Sequence, residues 1–111
     1  MLIFFKTKKL QKICSEKREM QKRLGQGMTR KLQQRMMELK AAETLADISH
    51  LPPPRCHELT GDRYGQLSVD LEHPFRLLFI PAHNPIPCRD DGGIDREQVT
   101  EIEIIAIDDT H

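Results

Sequence analysis

The chain has 111 residues, of which 38% are apolar and 31% are charged. This length suits one domain, residues 1–111, with a single modest core, and the composition argues against a disordered protein. No apolar run approaches the roughly 20 residues of a membrane-spanning helix, which argues against an integral membrane protein. Cys14, Cys56 and Cys88 are an odd number without patterned spacing, so we expect a reducing, cytoplasmic setting.

The net charge of zero conceals two halves of opposite sign. Residues 1–40 hold 12 Lys and Arg against 3 Asp and Glu, and residues 41–111 hold 5 against 14. One interpretation is a set of solvated helix faces that complement an acidic remainder. The other is a basic helical surface that meets a polyanion.

The first forty residues predict a strand followed by two helices. Leu2 to Phe5 reads as a short strand, and Thr7 is placed to cap a helix that enters at Lys8. Gly25 and Gly27 are expected to end this helix and start the next, so that the two helices become antiparallel neighbours. Apolar residues recur at helical spacing on both sides of the glycines: Leu10, Ile13, Cys14, Met20 and Leu24, then Met28, Leu32, Met36, Leu39 and Ala42. We interpret these stripes as core rather than as a groove for a partner.

The connections that follow are marked by proline and glycine. Thr44 to Ile48 suggests one more helical turn, and Pro52-Pro53-Pro54 predicts an extended, rigid connector rather than a ligand for an SH3 domain. Pro81 to Gln98 is a long irregular segment, a length that is uncommon inside a small domain. Val99 to Ile107 is predicted to be the last strand, with Ile105 and Ile107 on the same side as Glu101 and Glu103.

The stretch Arg55 to Ile80 predicts a β-meander that carries a polar cluster. Leu67, Val69 and Leu71 fall on one face of an extended chain, and the run Phe75 to Ile80 is apolar on both faces except at Arg76, as in a central strand. The fold class is therefore α+β, with two N-terminal helices packed on a mixed, mainly antiparallel sheet whose other face is partly open.

A charge inside a central strand is costly unless it has a partner or a task, which singles out Arg76. His57 and Arg63 lie in or beside neighbouring strands, and Asp109 and His111 share a face if the last strand stays extended. Two imidazoles, a carboxylate and guanidinium groups suit cleavage of a phosphodiester without a metal. One group would take a proton from a ribose 2′-hydroxyl, another would protonate the leaving 5′-oxygen, and the arginines would stabilise the phosphorane.

Each of these residues also has a purely structural interpretation. His57 could cap the connection, Arg76 could pair with Asp70 or Glu72 across the hairpin, and a terminal His111 could be frayed. Glu58 and Asp62 could do no more than pair with Arg63.

Metal sites and nucleophiles find little support in the sequence. Adjacent Cys56-His57 with Cys88 is poor geometry for zinc, and the acidic part of the long loop lacks the spacing of a calcium loop. A Ser/His/Asp or Cys/His nucleophile has no local signature. We therefore expect no metal and no cofactor.

Three pieces of the chain resemble a known group of proteins. They are the run His57-Glu58-Leu59-x-Gly61-Asp62-Arg63-x-Gly65-Gln66-x-Ser68, the later Arg76-Leu77-x-Phe79, and the ending Ile107-x-Asp109-x-His111. Together with the order strand, helix, helix, meander, they resemble the RelE/ParE toxin superfamily. The closest subgroup is the HigB-like host-killing toxins of type II toxin–antitoxin systems.

The resemblance implies a RelE-like fold and a ribosome-dependent mRNA endonuclease that arrests translation and growth. A cognate helix-turn-helix antitoxin, HigA-like, would hold it silent and bind operator DNA. Carried over by position, the catalytic residues are His57, Arg76, Asp109 and His111. We expect RNA contacts from Arg63 and from Lys8, Lys9 and Lys12 at the start of the first helix.

Two other functions stay open at this point. The superfamily also contains ParE-like poisons of DNA gyrase, which cleave nothing. A non-catalytic module that only pairs with its antitoxin and helps bind operator DNA is favoured by the zero net charge and by Thr110, which stands where the family has tyrosine.

Overall fold

The computed structural model of the chain describes residues 1–109 and has an α+β architecture. Two helices pack on a five-stranded sheet of order β1-β5-β4-β3-β2, in which β1 is parallel to β5 and the other neighbours are antiparallel. This confirms the predicted helices on a mixed, mainly antiparallel sheet. The elements are β1 (Leu2–Phe5), α1 (Lys8–Ser15), α2 (Lys17–Ala41), β2 (His57–Glu58), β3 (Leu67–Asp70), β4 (Phe75–Pro81) and β5 (Glu101–Asp109). Short 3-10 turns span Leu45–Asp47, Gly61–Arg63 and Arg96–Gln98.

The helical layer begins as predicted and has two breaks, one at the predicted glycines and one at a position that the sequence does not mark. Thr7 caps α1, because its Oγ1 accepts a hydrogen bond of 3.1 Å from the backbone N–H of Leu10. The chain leaves helical geometry at Glu16, so α1 ends nine residues before the predicted Leu24. Gly25 then kinks α2 with φ 80°, a conformation that glycine adopts without steric cost. The predicted break at the glycines is confirmed, whereas the break at Glu16 carries no Gly or Pro signal.

The core lies between the helices and one face of the sheet. Leu67, Val69 and Leu71 all point into it, as their alternation predicted. Phe79 of the central strand β4 is fully buried there, and burial of such a side chain stabilises the fold by about 1.5–3 kcal/mol. The stripes on the helices supply the other wall with Met28, Leu32, Met36 and Leu39, so they are core as predicted.

A β-bulge in β5 changes which residues face the helices. Phe79 pairs with Ile104 and Leu78 pairs with Ala106, so Ile105 is an extra residue without a partner of its own on β4. Beyond the bulge the phase of the strand is shifted, and Ile107 faces the helices together with its partner Leu77. The prediction that Ile105 and Ile107 share the side of the glutamates is therefore wrong.

Two connections differ in how well they were anticipated. The triple proline forms part of a turn, closed by a 3.1 Å hydrogen bond from the Arg55 N–H to the Leu51 carbonyl, rather than the predicted extended connector. The long segment after β4 is irregular as predicted. Two hydrogen bonds attach it to the rest of the domain: the N–H of Ile94 donates to Glu58 Oε1 at 3.1 Å, and the carbonyl of Gly92 accepts from the Tyr64 hydroxyl at 2.9 Å.

Within residues 1–109, neither helix combines the length and hydropathy needed to cross a bilayer.

Candidate functional site

Polar side chains from three strands share the face of the sheet that points away from the helices. Arg76 in the centre of the sheet is paired with Asp70 of β3 on one side and with Asp108 of β5 on the other. Residues directly opposite one another on neighbouring strands project to the same face. His57 lies on the same face. It is opposite Ser68 of β3, and Ser68 is opposite Leu78 of β4, which shares a face with Arg76 because the two are two residues apart on the strand.

Among residues 1–109, Asp70 and His57 lie beside the guanidinium group of Arg76 on this face. Its Nε lies 3.4 Å from Oδ1 of Asp70, and its Nη1 lies 3.3 Å from Nε2 of His57. The Arg76 side chain is only 11% exposed, so its charge needs such partners. The pairing with Asp70 considered from the sequence is therefore present, whereas the carboxylate of Glu72 lies against Gly27 of α2.

The carboxylate of Asp70 lies between two arginines, and hydrogen bonds fix its backbone. Its Oδ2 lies 2.8 Å from Nε of Arg55, so two arginines share one carboxylate. Its backbone carbonyl accepts a 2.7 Å hydrogen bond from Nε of Arg35, a buried side chain of α2, and its N–H donates to the carbonyl of Pro54 at 2.7 Å. Sequence reasoning treated Asp70 only as a structural partner of Arg76 and missed Arg55. The one signal was the place of Asp70 on the polar side of an alternating strand.

The two ring nitrogens of His57 have different partners. Nδ1 lies 3.2 Å from the backbone carbonyl of Arg55, and Nε2 faces the guanidinium group of Arg76. A carbonyl can only accept a hydrogen bond, and a guanidinium group can only donate one. These partners assign the proton to Nδ1 and leave the lone pair of Nε2 directed at Arg76.

Arg63 reaches the same face from the turn that precedes β3. Its Nη2 lies 3.4 Å from Oδ2 of Asp108, and the two side chains are 40% and 48% exposed. An ion pair this open to water stabilises a fold by at most about 1 kcal/mol, so either group is easily drawn to another partner. The face thus carries His57, Arg76 and Arg63 from the sequence prediction.

The remaining predicted site residues lie elsewhere or outside the described residues. Asp109 is opposite Phe75 and projects to the helical side, because the bulge at Ile105 shifts the phase of β5. The prediction that it joins Arg76 is wrong in geometry, and Asp108 occupies that place. His111, predicted as catalytic, lies outside residues 1–109.

The three lysines predicted to bind RNA are on the other side of the sheet. Lys8, Lys9 and Lys12 belong to α1 and are exposed, and they line a shallow depression with Glu19 and Arg23. Since the helices cover the face opposite Arg76, the lysines and the candidate site do not form one continuous surface.

The cysteines and the acidic groups suggest no second chemistry. Burial raises the pKa of the Cys14 thiol to about 12 and that of Cys56 to about 11, so neither is a thiolate near neutral pH. Among residues 1–109, no three His, Cys, Asp or Glu side chains are grouped so that they could hold a metal ion.

Compared with known proteins, the chain matches no family model and no curated protein. Its function is therefore inferred from the side chains on the polar face of the sheet and from the motifs to which they belong.

Proposed function

We propose that this chain is a toxin of the RelE-like, HigB-like kind: an endonuclease that cuts mRNA on the ribosome and is silenced by a helix-turn-helix antitoxin. The proposal places it in the cytoplasm, where ribosomes and mRNA meet, and gives it operator DNA as an indirect partner through the antitoxin. The observation that carries the proposal is that Arg76, His57 and Arg63, which come from two separate pieces of the sequence motif, lie on one face of the sheet.

These groups are of the kinds that metal-free cleavage of RNA requires. The 2′-oxygen of the ribose attacks the neighbouring phosphorus, the bond to the 5′-oxygen breaks, and a 2′,3′-cyclic phosphate and a 5′-hydroxyl end result. Arg76 and Arg63 would bind the phosphoryl oxygens, on which negative charge accumulates in the transition state.

His57 is the proposed proton acceptor for the 2′-hydroxyl. Its Nε2 lone pair faces the guanidinium group of Arg76 in the unbound protein. A phosphate that draws Arg76 towards itself would release this lone pair at the moment when the substrate arrives. His111, carried over from the resemblance, would then protonate the leaving 5′-oxygen.

The lysines of α1 have a different part in this proposal. They lie on the helical layer, away from Arg76, so they cannot hold the same stretch of mRNA as the candidate site. A ribosome is large enough to surround a protein of this size, and Lys8, Lys9 and Lys12 would contact ribosomal RNA while the sheet faces the codon.

A second candidate is a non-catalytic module that binds only the antitoxin and, through it, operator DNA. The observation that favours it is that the guanidinium group of Arg76 already has protein neighbours: Nε lies beside Asp70 and Nη1 lies beside His57. The Arg76 side chain is also only 11% exposed. The position of Asp109, on the helical side, removes one group that the family's chemistry would supply.

The experiment that separates the two candidates is cleavage on programmed ribosomes. The purified protein is added to ribosomes carrying a defined mRNA, and the new ends are mapped and tested for a 2′,3′-cyclic phosphate and a 5′-hydroxyl. A variant with His57→Gln should lose cleavage, and Arg30→Ala, an exposed change on α2, should keep it. Intact mRNA together with tight binding of a helix-turn-helix protein, the proposed antitoxin, would favour the second candidate.

A further inference from the structure

Arg55 and Asp70 lie beside Arg76, and the function proposed so far gives neither of them a role. Arg55 and Arg76 approach Asp70 from two sides, each through its Nε, at 2.8 Å from Oδ2 and 3.4 Å from Oδ1. Arg55 belongs to the segment before β2, whereas Arg76 is in the middle of β4. The carboxylate therefore brings together two cations that are 21 residues apart in sequence.

The carboxylate that holds them is itself fixed through its main chain. The carbonyl of Asp70 accepts from the buried Arg35 at 2.7 Å, and its N–H is bonded to Pro54 at the same distance. A residue whose main chain is fixed on a strand in this way orients the partners of its side chain more accurately than a residue on a loop does.

A small cleft opens beside this group. It has a volume of about 40 Å³ and is lined by Arg55, Asp70, His73, Phe75 and Arg76, among others. By the space that one buried water requires, this corresponds to about three water molecules. The two guanidinium groups that line the cleft suit a phosphate as its ligand, because their planar fork matches the phosphate oxygens.

We propose that Arg55 and Arg76 form a phosphate-binding pair for RNA and that Asp70 is the positioning residue that holds both guanidinium groups in place. The inference rests on the proposed function, to which it adds two residues. Asp70 acts in two opposing ways: it orients the arginines, and its negative charge competes with the phosphate for them.

A purely structural role for the group predicts something different. The Asp70 and Arg55 side chains are 26% and 43% exposed, and ion pairs of this exposure contribute little to stability. If the pair did no more than join β3 to the segment before β2, its loss would lower stability slightly and would leave phosphate binding unchanged.

The first test measures binding of inorganic phosphate to the purified full chain by NMR titration. Asp70→Asn should bind phosphate about 5-fold more tightly than the wild type, because it removes a negative charge within about 4–6 Å of the anion. Arg55→Ala should bind it at least about 5-fold more weakly. Arg89 and Asp91 provide the matched control, since they form an exposed ion pair at 3.3 Å in the long loop. Asp91→Asn and Arg89→Ala should not change the affinity.

The second test uses the kinetics of mRNA cleavage. Asp70→Asn should lower KM and also lower kcat by about 10- to 100-fold, because the phosphate is bound tightly but the arginines are misaligned. Unchanged phosphate affinity in Asp70→Asn and Arg55→Ala, or a kcat that rises in Asp70→Asn, would overturn the inference. If the wild type does not cleave RNA, the proposed function fails, and the phosphate titration alone decides whether this pair is an anion site.

Discussion

Replacement of Arg76 by alanine tests both the proposed activity and the structural role of this side chain. The change removes the only guanidinium group in the central strand, together with its contacts to Asp70 and His57. Asp70 keeps Arg55 as a partner at 2.8 Å, so the variant does not leave a buried carboxylate without a countercharge. We therefore expect Arg76→Ala to fold.

The expected loss of stability follows from the exposure of the pair. With side chains 11% and 26% exposed, the contact lies between a surface ion pair and a buried one, and its removal should cost about 1–2 kcal/mol. A chain of 111 residues has an entropy of unfolding of about 230 cal/mol/K near its midpoint. Each kcal/mol then corresponds to about 4 °C, and Tm should fall by about 4–8 °C.

The rate of cleavage should fall much further than stability explains. Loss of a charge contact made in the transition state costs roughly 10²–10³-fold in rate, whereas at a temperature well below Tm almost all of the variant is folded. Arg76→Lys retains the charge without the planar fork and should recover only part of the activity. His111→Ala should also lower the rate, because His111 is the proposed proton donor to the leaving 5′-oxygen.

The measurement combines thermal melts with mRNA cleavage on programmed ribosomes, using protein that is co-purified with the proposed antitoxin and then separated from it. Arg30→Ala is the control for the loss of an arginine from an exposed position. A wild-type rate in Arg76→Ala, with Tm lowered by a few degrees, would refute the catalytic role and leave only the pairing with Asp70. Wild-type rates and Tm in both Arg76→Ala and His111→Ala would remove the proposed site.

Three further outcomes can be checked on the same preparations. Asp108→Ala should alter cleavage because Asp108 lies opposite Arg76 and beside Arg63, whereas Asp109→Ala should leave the kinetic constants unchanged; the reverse result would contradict the register of β5. A thiol reagent should modify the exposed Cys88 at once, and Cys14 and Cys56 only after unfolding, as counted by absorbance with and without denaturant. Because the pKa values of both buried thiols are raised in the folded state, their contribution to stability is complete below pH 9 and is lost as the pH rises towards 11–12. Denaturant melts should therefore show the free energy of unfolding falling above pH 9 by up to about 2.7 kcal/mol per pH unit, and Cys14→Ala should reduce this slope.

The parts of the fold that could be predicted are those set by local periodicity. The alternation of Leu67, Val69 and Leu71 specifies a strand with one buried face, and the apolar run around Phe79 specifies a central strand. Thr7 was recognisable as a cap because its hydroxyl is placed three residues before the N–H that it accepts from. The break at Glu16 could not be predicted, since helical propensity is weak evidence and packing of the helices on the sheet overrides it.

The candidate site was only partly predictable because its contacts cross between strands. Arg76 stood out as a charge inside an apolar strand, and its pairing with Asp70 required only a short hairpin. The participation of Arg55 depends on the turn made by the triple proline, which places this residue back over the end of β3. Without knowledge of that turn, Arg55 reads as one more solvated arginine before the motif.

The choice between Asp108 and Asp109 shows how a single residue in a strand can redirect a functional inference. Uniform alternation from Glu101 places Ile105, Ile107 and Asp109 on the polar face, which would expose two isoleucines there. The sequence contains evidence against this, because the alternation of residues 101–104 gives way to a continuous apolar run over residues 104–107. A bulge at Ile105 allows Ile102, Ile104 and Ile107 all to contact the core, and it is what the structure contains. Burial of the isoleucines thus determines the phase of the strand, and the phase determines which aspartate lies beside Arg76.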